Sequence, residues 1–263
     1  MRGPADPNEA NQAMNNLKRI ELTQEWDRLA PAWIKEVRDG RNSTRKGLLD
    51  PAMIAACGNV SGLTVLDSGC GEGRFSRMLV DGGAEHVVGV DLCEPMINAA
   101  RNLATGRDEY HLADVEDLGF LGDHTFDIAA SYLNQCDLSD FQANNREVFR
   151  VLKPGGKFVI ANVHPMRSAV GRWQRTDDGT KQHVILDRYF DEGERYWMMF
   201  GVEFTNFHRT LSTCFRAYRD SGFVIDQIIE PTVDAENLNR YPELDDELRV
   251  PNFIIFVLQK AVR

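Results

Sequence analysis

Three glycines at alternate positions follow a short apolar run, and this stretch is the one most suited to chemistry. The run covers residues 63–67, and the turn after it reads Ser-Gly-Cys-Gly-Glu-Gly at 68–73. A strand that enters a glycine-rich turn and then a helix is typical of a nucleotide site. Glycine lets the backbone approach a ligand, and the helix start offers unpaired N–H groups.

The residue that leads into this turn indicates which nucleotide it binds. A pyrophosphate-binding turn usually reads G-x-G-x-x-G after an apolar residue, whereas here the spacing is G-x-G-x-G and the lead-in residue is Asp67. A carboxylate repels a diphosphate but can hold the ammonium group of an amino acid, directly or through water. The turn therefore favours a nucleoside that carries an amino acid over a dinucleotide.

A second acid, Asp91, ends the next apolar run, at 86–90. An acid at the tip of the second strand, about 20 residues past the glycines, can accept both hydroxyls of a ribose. Dinucleotide-binding folds share this feature, so Asp91 indicates an adenosine site without choosing between cofactors. The alternative is that it caps the following helix.

Together with the string V-L-K-P-G-G-K-F at 151–158, the glycine turn resembles the first motif of the class I S-adenosylmethionine (SAM)-dependent methyltransferases, of the small-molecule, type 11-like kind. The resemblance covers residues 60–163 strongly and 208–260 more loosely. It implies SAM as the cofactor. It also implies that the acid after the third strand accepts the adenine amino group, and that residues 132–135 lie beside the cofactor sulfur. The cofactor-binding residues predicted on this basis are Arg45, Asp67, Gly69, Cys70, Gly71, Asp91, Leu92, Asp114, Val115 and Tyr132.

Two of these residues have other interpretations. By resemblance Cys70 is a small filler whose backbone matters, and the alternative is a nucleophile. Arg45 is placed to meet the carboxylate of the methionine part, and the alternative is a solvated arginine. The tripeptide Leu-Gly-Phe at 118–120 departs slightly from the family's usual Leu-Pro-Phe.

No fixed catalytic motif is expected, because methyl transfer from a sulfonium mainly requires alignment, exclusion of water and sometimes removal of a proton. Two histidines are the predicted catalytic residues. His164 follows the fifth strand in Asn-Val-His-Pro, and His208 stands before the next helix in Phe-His-Arg. With a pKa normally near ~6.5 either can accept a proton from a hydroxyl or an amine. The alternative for each is a histidine that ties loops together.

Aromatic residues predict the acceptor side of the site. Trp26 and Trp33 lie on one face of an N-terminal helical segment, interrupted by Pro31, which predicts two helices or one kinked helix. A second group of aromatics crowds an insertion at 165–207, predicted as a hairpin with its turn at 191–194. The alternative is that these aromatics form a small second core. The predicted substrate-binding residues are Trp33, Asn134, Trp173 and Trp197.

The alternation of strands and helices predicts the elements that hold these residues. We expect one α/β domain with a Rossmann-like, seven-stranded, mostly parallel sheet flanked by helices and an antiparallel last strand. Residues 12–58 form a helical lid, 59–163 the SAM-binding core and 165–207 an aromatic cap with a β-hairpin. Residues 208–263 supply a closing helix and strands.

Composition limits the class of partner. The 263 residues carry a net charge of −10, which argues against nucleic acid and an anionic membrane surface. There is no apolar run of about 20 residues that would span a bilayer and no apolar leader at the N-terminus. The five cysteines are scattered without C-x-x-C, which predicts a reduced, cytoplasmic protein without a structural metal. We expect a monomer or a homodimer.

The function predicted from these features is transfer of a methyl group from SAM to an O, N or C atom of a small, partly apolar metabolite. The alternative from a different class is a SAM-binding regulatory or partner protein without transferase activity. An NAD-dependent oxidoreductase is disfavoured by Asp67 and by the glycine spacing.

Overall fold

A computed structural model describes residues 7–169 and 171–262, with side chains described from residue 17 onward. Within these ranges the helices, in chain order, are α1 (Pro7–Arg38), α2 (Asp50–Cys57), α3 (Arg74–Asp81), α4 (Glu94–Arg101), α5 (Phe141–Val151), α6 (Pro165–Ser168), α7 (Leu211–Asp220) and α8 (Ala235–Arg240). A π-helical turn (Arg45–Leu49) precedes α2, and 3₁₀ turns cover Gln135–Asp137 and Pro242–Leu248. The strands are β1 (Thr64–Ser68), β2 (His86–Asp91), β3 (Asp108–Leu112), β4 (Phe126–Tyr132), β5 (Leu152–Val163), β6 (Arg172–Arg175), β7 (Lys181–Ile185), β8 (Gly193–Met199), β9 (Val202–His208), β10 (Phe223–Ile229) and β11 (Phe253–Lys260).

Seven of these strands form one sheet in the order β10-β11-β5-β4-β1-β2-β3. Strands β1 to β5 pair in parallel, and only β11 runs against its two neighbours. The predicted Rossmann-like sheet with an antiparallel last strand is therefore confirmed. Its strand order reverses at β1 and β4, and in open α/β sheets ligands bind at such a point, outside the carboxyl ends of the strands.

Both faces of the sheet are covered by helices. On one face Leu66 and Phe158 pack with side chains of α5 and α7, including Tyr218. On the other face Val65 packs with α2 and α3, including Met53. Because parallel strands buried on both faces need apolar residues at successive positions, the core strands read as continuous apolar runs.

The N-terminal segment forms one helix, α1, with Pro31 inside it. Its inner face packs on the start of α4 through Ala30 and Met96. Trp26 and Trp33 meet edge to face with ring centroids 6.1 Å apart. Residues of α1, among them these two tryptophans, line the cavity at the carboxyl edge of the sheet.

The insertion contains two hairpins, and the predicted turn at 191–194 is wrong. Strand β6 pairs with β7, and β8 pairs with β9 around Phe200 and Gly201. Both of these residues have positive φ, 52° and 76°, which is what a two-residue I′ hairpin turn requires. Gly193, in contrast, begins β8. The expected β-hairpin is present, but its turn lies further along the chain.

Across the described part of the chain, no helix has the length and apolar character needed to cross a membrane.

Candidate active site

The carboxyl edge of the sheet opens into a cavity of about 1090 Å³, mouth included. The ends of β1, β2 and β3 each contribute an acid to its wall, namely Asp67, Asp91 and Asp114. All of the predicted cofactor-binding residues and two of the predicted substrate-binding residues line this single cavity: Arg45, Asp67, Gly69, Cys70, Gly71, Asp91, Leu92, Asp114, Val115, Tyr132, Trp33 and Asn134.

Asp67 is the most deeply buried of the three acids, at 1% exposure. Its Oδ2 accepts a hydrogen bond from Ser76 Oγ at 2.6 Å, while its Oδ1 has no partner among the described residues. Burial, opposed by Ser76 and assisted by repulsion from Asp91, raises the pKa of Asp67 to about 6. A buried carboxylate with an unused oxygen is suited to a cationic group such as the ammonium of an amino acid.

The three turn glycines all have positive φ, but they serve different needs. A Cβ on Gly69 would lie 2.1 Å from the Asn134 side chain, and one on Gly73 would lie 2.5 Å from Tyr110 Oη. A Cβ on Gly71 would meet nothing within 4 Å. Gly69 and Gly73 are therefore required for packing, whereas Gly71 leaves the cavity open for a ligand.

Asp91 connects the glycine turn to the second strand. Its Oδ2 accepts from the backbone N–H of Gly71 at 2.8 Å, and its Oδ1 accepts from that of Cys93 at 2.9 Å. Burial raises the pKa of this carboxyl group. Each carboxylate oxygen can accept a further hydrogen bond, so Asp91 retains the capacity to bind ribose hydroxyls.

Asp114 lies in the part of the cavity wall where α1 meets the core. Its Oδ1 accepts from the backbone N–H of Glu116 at 2.8 Å, and its Oδ2 lies 3.2 Å from Nε of Arg19 on α1. Arg19 also donates to the buried Glu116 carboxylate at 2.7 Å. Sequence reasoning missed Arg19 and Glu116, because a basic residue on a helix gives no signal of its distant partner.

Arg45 lies between two aromatic rings. Its guanidinium carbon is 4.6 Å from the centroid of Tyr132 and 5.0 Å from that of Trp33. Its Nε is buried without a hydrogen-bond partner among the described residues. The Tyr132 hydroxyl donates to Asp50 at 2.8 Å, and Asp50 pairs with Arg74. This arrangement leaves Arg45 able to bind a carboxylate.

Comparison with solved structures connects this cavity to a known family. A SAM-dependent methyltransferase from Mesorhizobium loti is 34% identical, with 80% of this chain and 96% of that chain covered and a TM-score of 0.72. A protein of the same class from Listeria monocytogenes is 30% identical, with 80% and 95% covered and a TM-score of 0.72. This chain belongs to the SAM-dependent methyltransferases.

A methyltransferase-domain family model also matches residues 66–160 of this methyltransferase. Malonyl-[acyl-carrier protein] O-methyltransferase from Salmonella typhimurium is 32% identical over 143 residues, which is 52% of this chain and 55% of the relative. The chain thus spans about half the length of that relative. The expected family and enzyme class are confirmed, and the cofactor is SAM.

The two predicted catalytic histidines do not line the cavity. His164 accepts from the backbone N–H of Met166 through Nδ1 at 3.1 Å, and its Nε2 lies 3.1 Å from Glu230 Oε1. His208 is fully buried, with Nδ1 2.7 Å from Ser168 Oγ and Nε2 2.8 Å from the Tyr189 carbonyl oxygen. Both nitrogens of each ring are occupied, and burial lowers both pKa values. This geometry matches the alternative, in which the histidines tie loops together.

Two predicted substrate-binding tryptophans also lie outside this cavity. Trp173 donates from Nε1 to Asp246 Oδ2 at 3.3 Å. The guanidinium carbon of Arg249 lies 4.5 Å from the centroid of the Trp173 ring. The guanidinium carbon of Arg167 lies 4.7 Å from the centroid of the Trp197 ring. The insertion instead reaches the lid through Phe200 and Phe204, because its second hairpin turns at 200–201. Phe200 and Phe204 thus contact α1, where Trp173 and Trp197 were expected to contribute.

Sequence reasoning also missed Asp137, a buried acid in the cavity wall. Asn206 on β9 donates to its Oδ1. Burial is the main cause that raises the pKa of Asp137 to about 8. Its position just after the edge segment 132–135 was the available signal, but no motif marks an acid there.

Proposed function

We propose that this methyltransferase transfers the methyl group of SAM to an O, N or C atom of a small, partly apolar metabolite bound in the cavity at the carboxyl edge. The observation that carries the proposal is the convergence of Asp67, Asp91 and Asp114, from three strand ends, on one cavity with an open position over Gly71.

The residues of the cavity fit SAM group by group. The unused oxygen of Asp67 suits the ammonium group, and the guanidinium of Arg45 suits the carboxylate. Asp91 has acceptor capacity left for the ribose hydroxyls. Asp114 and the backbone N–H of Val115, which line the same cavity, offer an acceptor and a donor for adenine. When bound, the cofactor supplies a methyl group already activated by a positive sulfur.

The acceptor side supports a small ligand with apolar and polar parts. Leu133 and Leu138 contribute apolar surface, and Asn134 and Ser139 contribute polar atoms. Oδ1 of Asn134 and Oγ of Ser139 are buried without partners among the described residues. The lid residues Trp26 and Trp33 line the same cavity, so a bound acceptor is shielded from water, as methyl transfer requires.

The test uses SAM with a labelled methyl group and an extract of the source organism separated into small-molecule, protein and nucleic-acid fractions. We expect label to move from SAM to a second compound in the small-molecule fraction only when the enzyme is present. Transfer to the protein or nucleic-acid fraction would overturn the acceptor class. SAM binding without transfer to any fraction would favour a regulatory protein.

A further inference from the structure

Asp137 is an acid that the assignment of cofactor-binding residues leaves without a role. It lies in the 3₁₀ turn Gln135–Asp137 that follows β4, and its side chain is in the wall of the SAM cavity beside Asn134 and Ser139. Its residue exposure is 9%. The side chains that hydrogen-bond to it are neutral, namely the amide of Asn206 on β9 and the thiol of Cys136.

The charged and titratable groups around Asp137 include several acids. Asp91 faces it from β2, Glu25 from α1, and the Cys136 thiol precedes it in the chain. Arg209 is directed at the carbonyl oxygens of Gln135 and Leu138, on either side of Asp137 in the chain. Across the described residues no lysine or arginine forms an ion pair with Asp137.

The three arginines in the same cavity wall are directed elsewhere, and Arg74 among them pairs with Asp50. Arg19 pairs with Asp114 and Glu116, and Arg45 lies against Trp33 and Tyr132. Burial, reinforced by Asp91 and Glu25, raises the pKa of Asp137 to about 8. Without a cationic ligand the carboxyl group is therefore mostly protonated at neutral pH. A positive charge in the cavity favours the carboxylate and lowers this pKa.

We propose that Asp137 is the proton acceptor for methyl transfer to a hydroxyl or amine, and that the positive charge of the cofactor converts it to the carboxylate beforehand. This inference rests on the proposed function and assigns the base that the two histidines do not provide.

Transfer of the methyl group is coupled to loss of a proton from the acceptor. The acceptor oxygen or nitrogen forms a bond to the methyl carbon, and the carbon–sulfur bond breaks with its electron pair left on sulfur. The proton of the acceptor moves to the Asp137 carboxylate and later to solvent. Because the sulfur is then neutral, the charge that favoured the carboxylate is gone, so the protonated form of Asp137 is again preferred.

The experiment counts protons and needs no acceptor. Titration calorimetry of SAM and of its demethylated product, S-adenosylhomocysteine, is run in buffers of different ionisation enthalpy at about pH 7. At this pH Asp67, with a pKa of about 6, is already mostly ionised. Both ligands carry the same ammonium and carboxylate groups, so the difference in released protons reports the sulfonium charge alone.

We expect SAM to release up to about one proton more than the product from the wild-type enzyme. This difference should disappear in Asp137→Asn. It should be unchanged in Asp226→Asn, which removes an exposed carboxylate on β10.

Equal proton release by the two ligands, or a difference that persists in Asp137→Asn, would overturn the inference. The wild-type enzyme alone decides the matter if Asp137→Asn does not fold, because equal proton release by the two ligands at about pH 7 excludes a change of charge on this carboxyl group. Failure of the wild-type enzyme to bind either ligand would instead contradict the proposed function, and the inference would fall with it.

Discussion

Asp91 has a structural task in addition to the predicted binding of ribose. Its two oxygens hold the backbone N–H groups of Gly71 and Cys93, so it also fixes the shape of the glycine turn. A carboxylate that accepts backbone hydrogen bonds and faces a cavity is expected to affect both stability and affinity.

Changing Asp91→Ala should weaken SAM binding by about 1–3 kcal/mol, the usual cost of losing hydrogen bonds to a charged group. Affinity is measured by titration calorimetry, and folding is checked by thermal unfolding. Asp226→Ala, at an exposed site on β10, serves as the control and should bind SAM normally. Unchanged affinity in a folded Asp91→Ala protein would place the ribose elsewhere.

The three turn glycines allow a sharper test at Gly71. Gly71→Ala adds a methyl group to open cavity space, and we expect SAM affinity to fall about tenfold or more. Gly62→Ala is a matched control, because Gly62 also has positive φ and no neighbour within 4 Å but does not line the cavity. Both variants should lose about 1 kcal/mol of stability from backbone strain. An equal loss of affinity in both would show that strain, and not occupied space, weakens binding.

Asp137 should make the free energy of unfolding depend on pH. Its pKa is about 8 in the folded chain against 3.8 for an unperturbed group, so between these values the folded state binds more protons than the unfolded state. The contribution of Asp137 to the free energy of unfolding therefore decreases as the pH rises from about 4 to about 8.

Asp137→Asn removes this titration. Relative to the wild type, the variant should gain stability between about pH 5 and about pH 8, reaching about 1–3 kcal/mol at the upper end. Urea unfolding of the two ligand-free proteins at about pH 5 and at about pH 8 measures the difference in their free energy of unfolding. If the wild type and the variant differ in their free energy of unfolding by the same amount at both pH values, the pKa of Asp137 is not raised in the folded chain.

How far single residues could be predicted depends on whether their role is local. Asp67, Asp91 and Asp114 end apolar runs, and parallel strands bring their carboxyl ends to one edge, so their common cavity follows from the sequence pattern. The positions of His164 and His208 depend on loop partners such as Glu230 and Tyr189, which no spacing encodes. Asp137 was missed because its burial and acidic neighbours arise only when β2, β9 and α1 pack together.

At the scale of elements, the lid is the feature that closes the site. Helix α1 is attached to the core by Arg19 at Asp114 and Glu116, and to the second hairpin by Trp33 against Phe200. The side chain of Glu116 is only 2% exposed, so its ion pair with Arg19 is shielded from solvent on that side.

Arg19→Gln should loosen the lid, because it leaves the buried Glu116 carboxylate without its cation at a cost of about 1–3 kcal/mol. We expect faster hydrogen exchange across residues 17–38 and weaker SAM binding. Lys35→Gln is the control on the same helix, since Lys35 pairs with Asp39 at the exposed surface. The idea that Arg19 fastens the lid fails if both variants exchange at the same rate.

Elements with a strong hydrophobic period could be predicted well, and turns less well. The parallel strands and their helices follow from the alternation of apolar runs and glycine turns. The hairpin turn was misplaced because Asp-Glu-Gly-Glu at 191–194 has ordinary turn composition, whereas the actual turn uses Phe200, a bulky residue rarely found at positive φ. Pro31 lies within α1, where the sequence allowed two helices or one kinked helix.

At the scale of the whole molecule, the site is a space between parts that are distant in the chain. The strand ends supply one wall of the cavity, α1 supplies another, and β9 supplies Asn206, which donates to Asp137 in the cavity wall. The core could be anticipated because it follows a common pattern. The acceptor side could not, because it is formed by the lid and the insertion, whose relative placement depends on tertiary packing.

The central claim is that this cavity binds SAM through its amino acid and adenosine parts together. Titration calorimetry of the wild-type chain with SAM, S-adenosylhomocysteine and NAD tests it most directly. We predict that one molecule of SAM or of its product binds per chain and that NAD does not bind, since Asp67 repels a diphosphate. Binding of NAD, or no binding of SAM to the folded protein, would contradict the account.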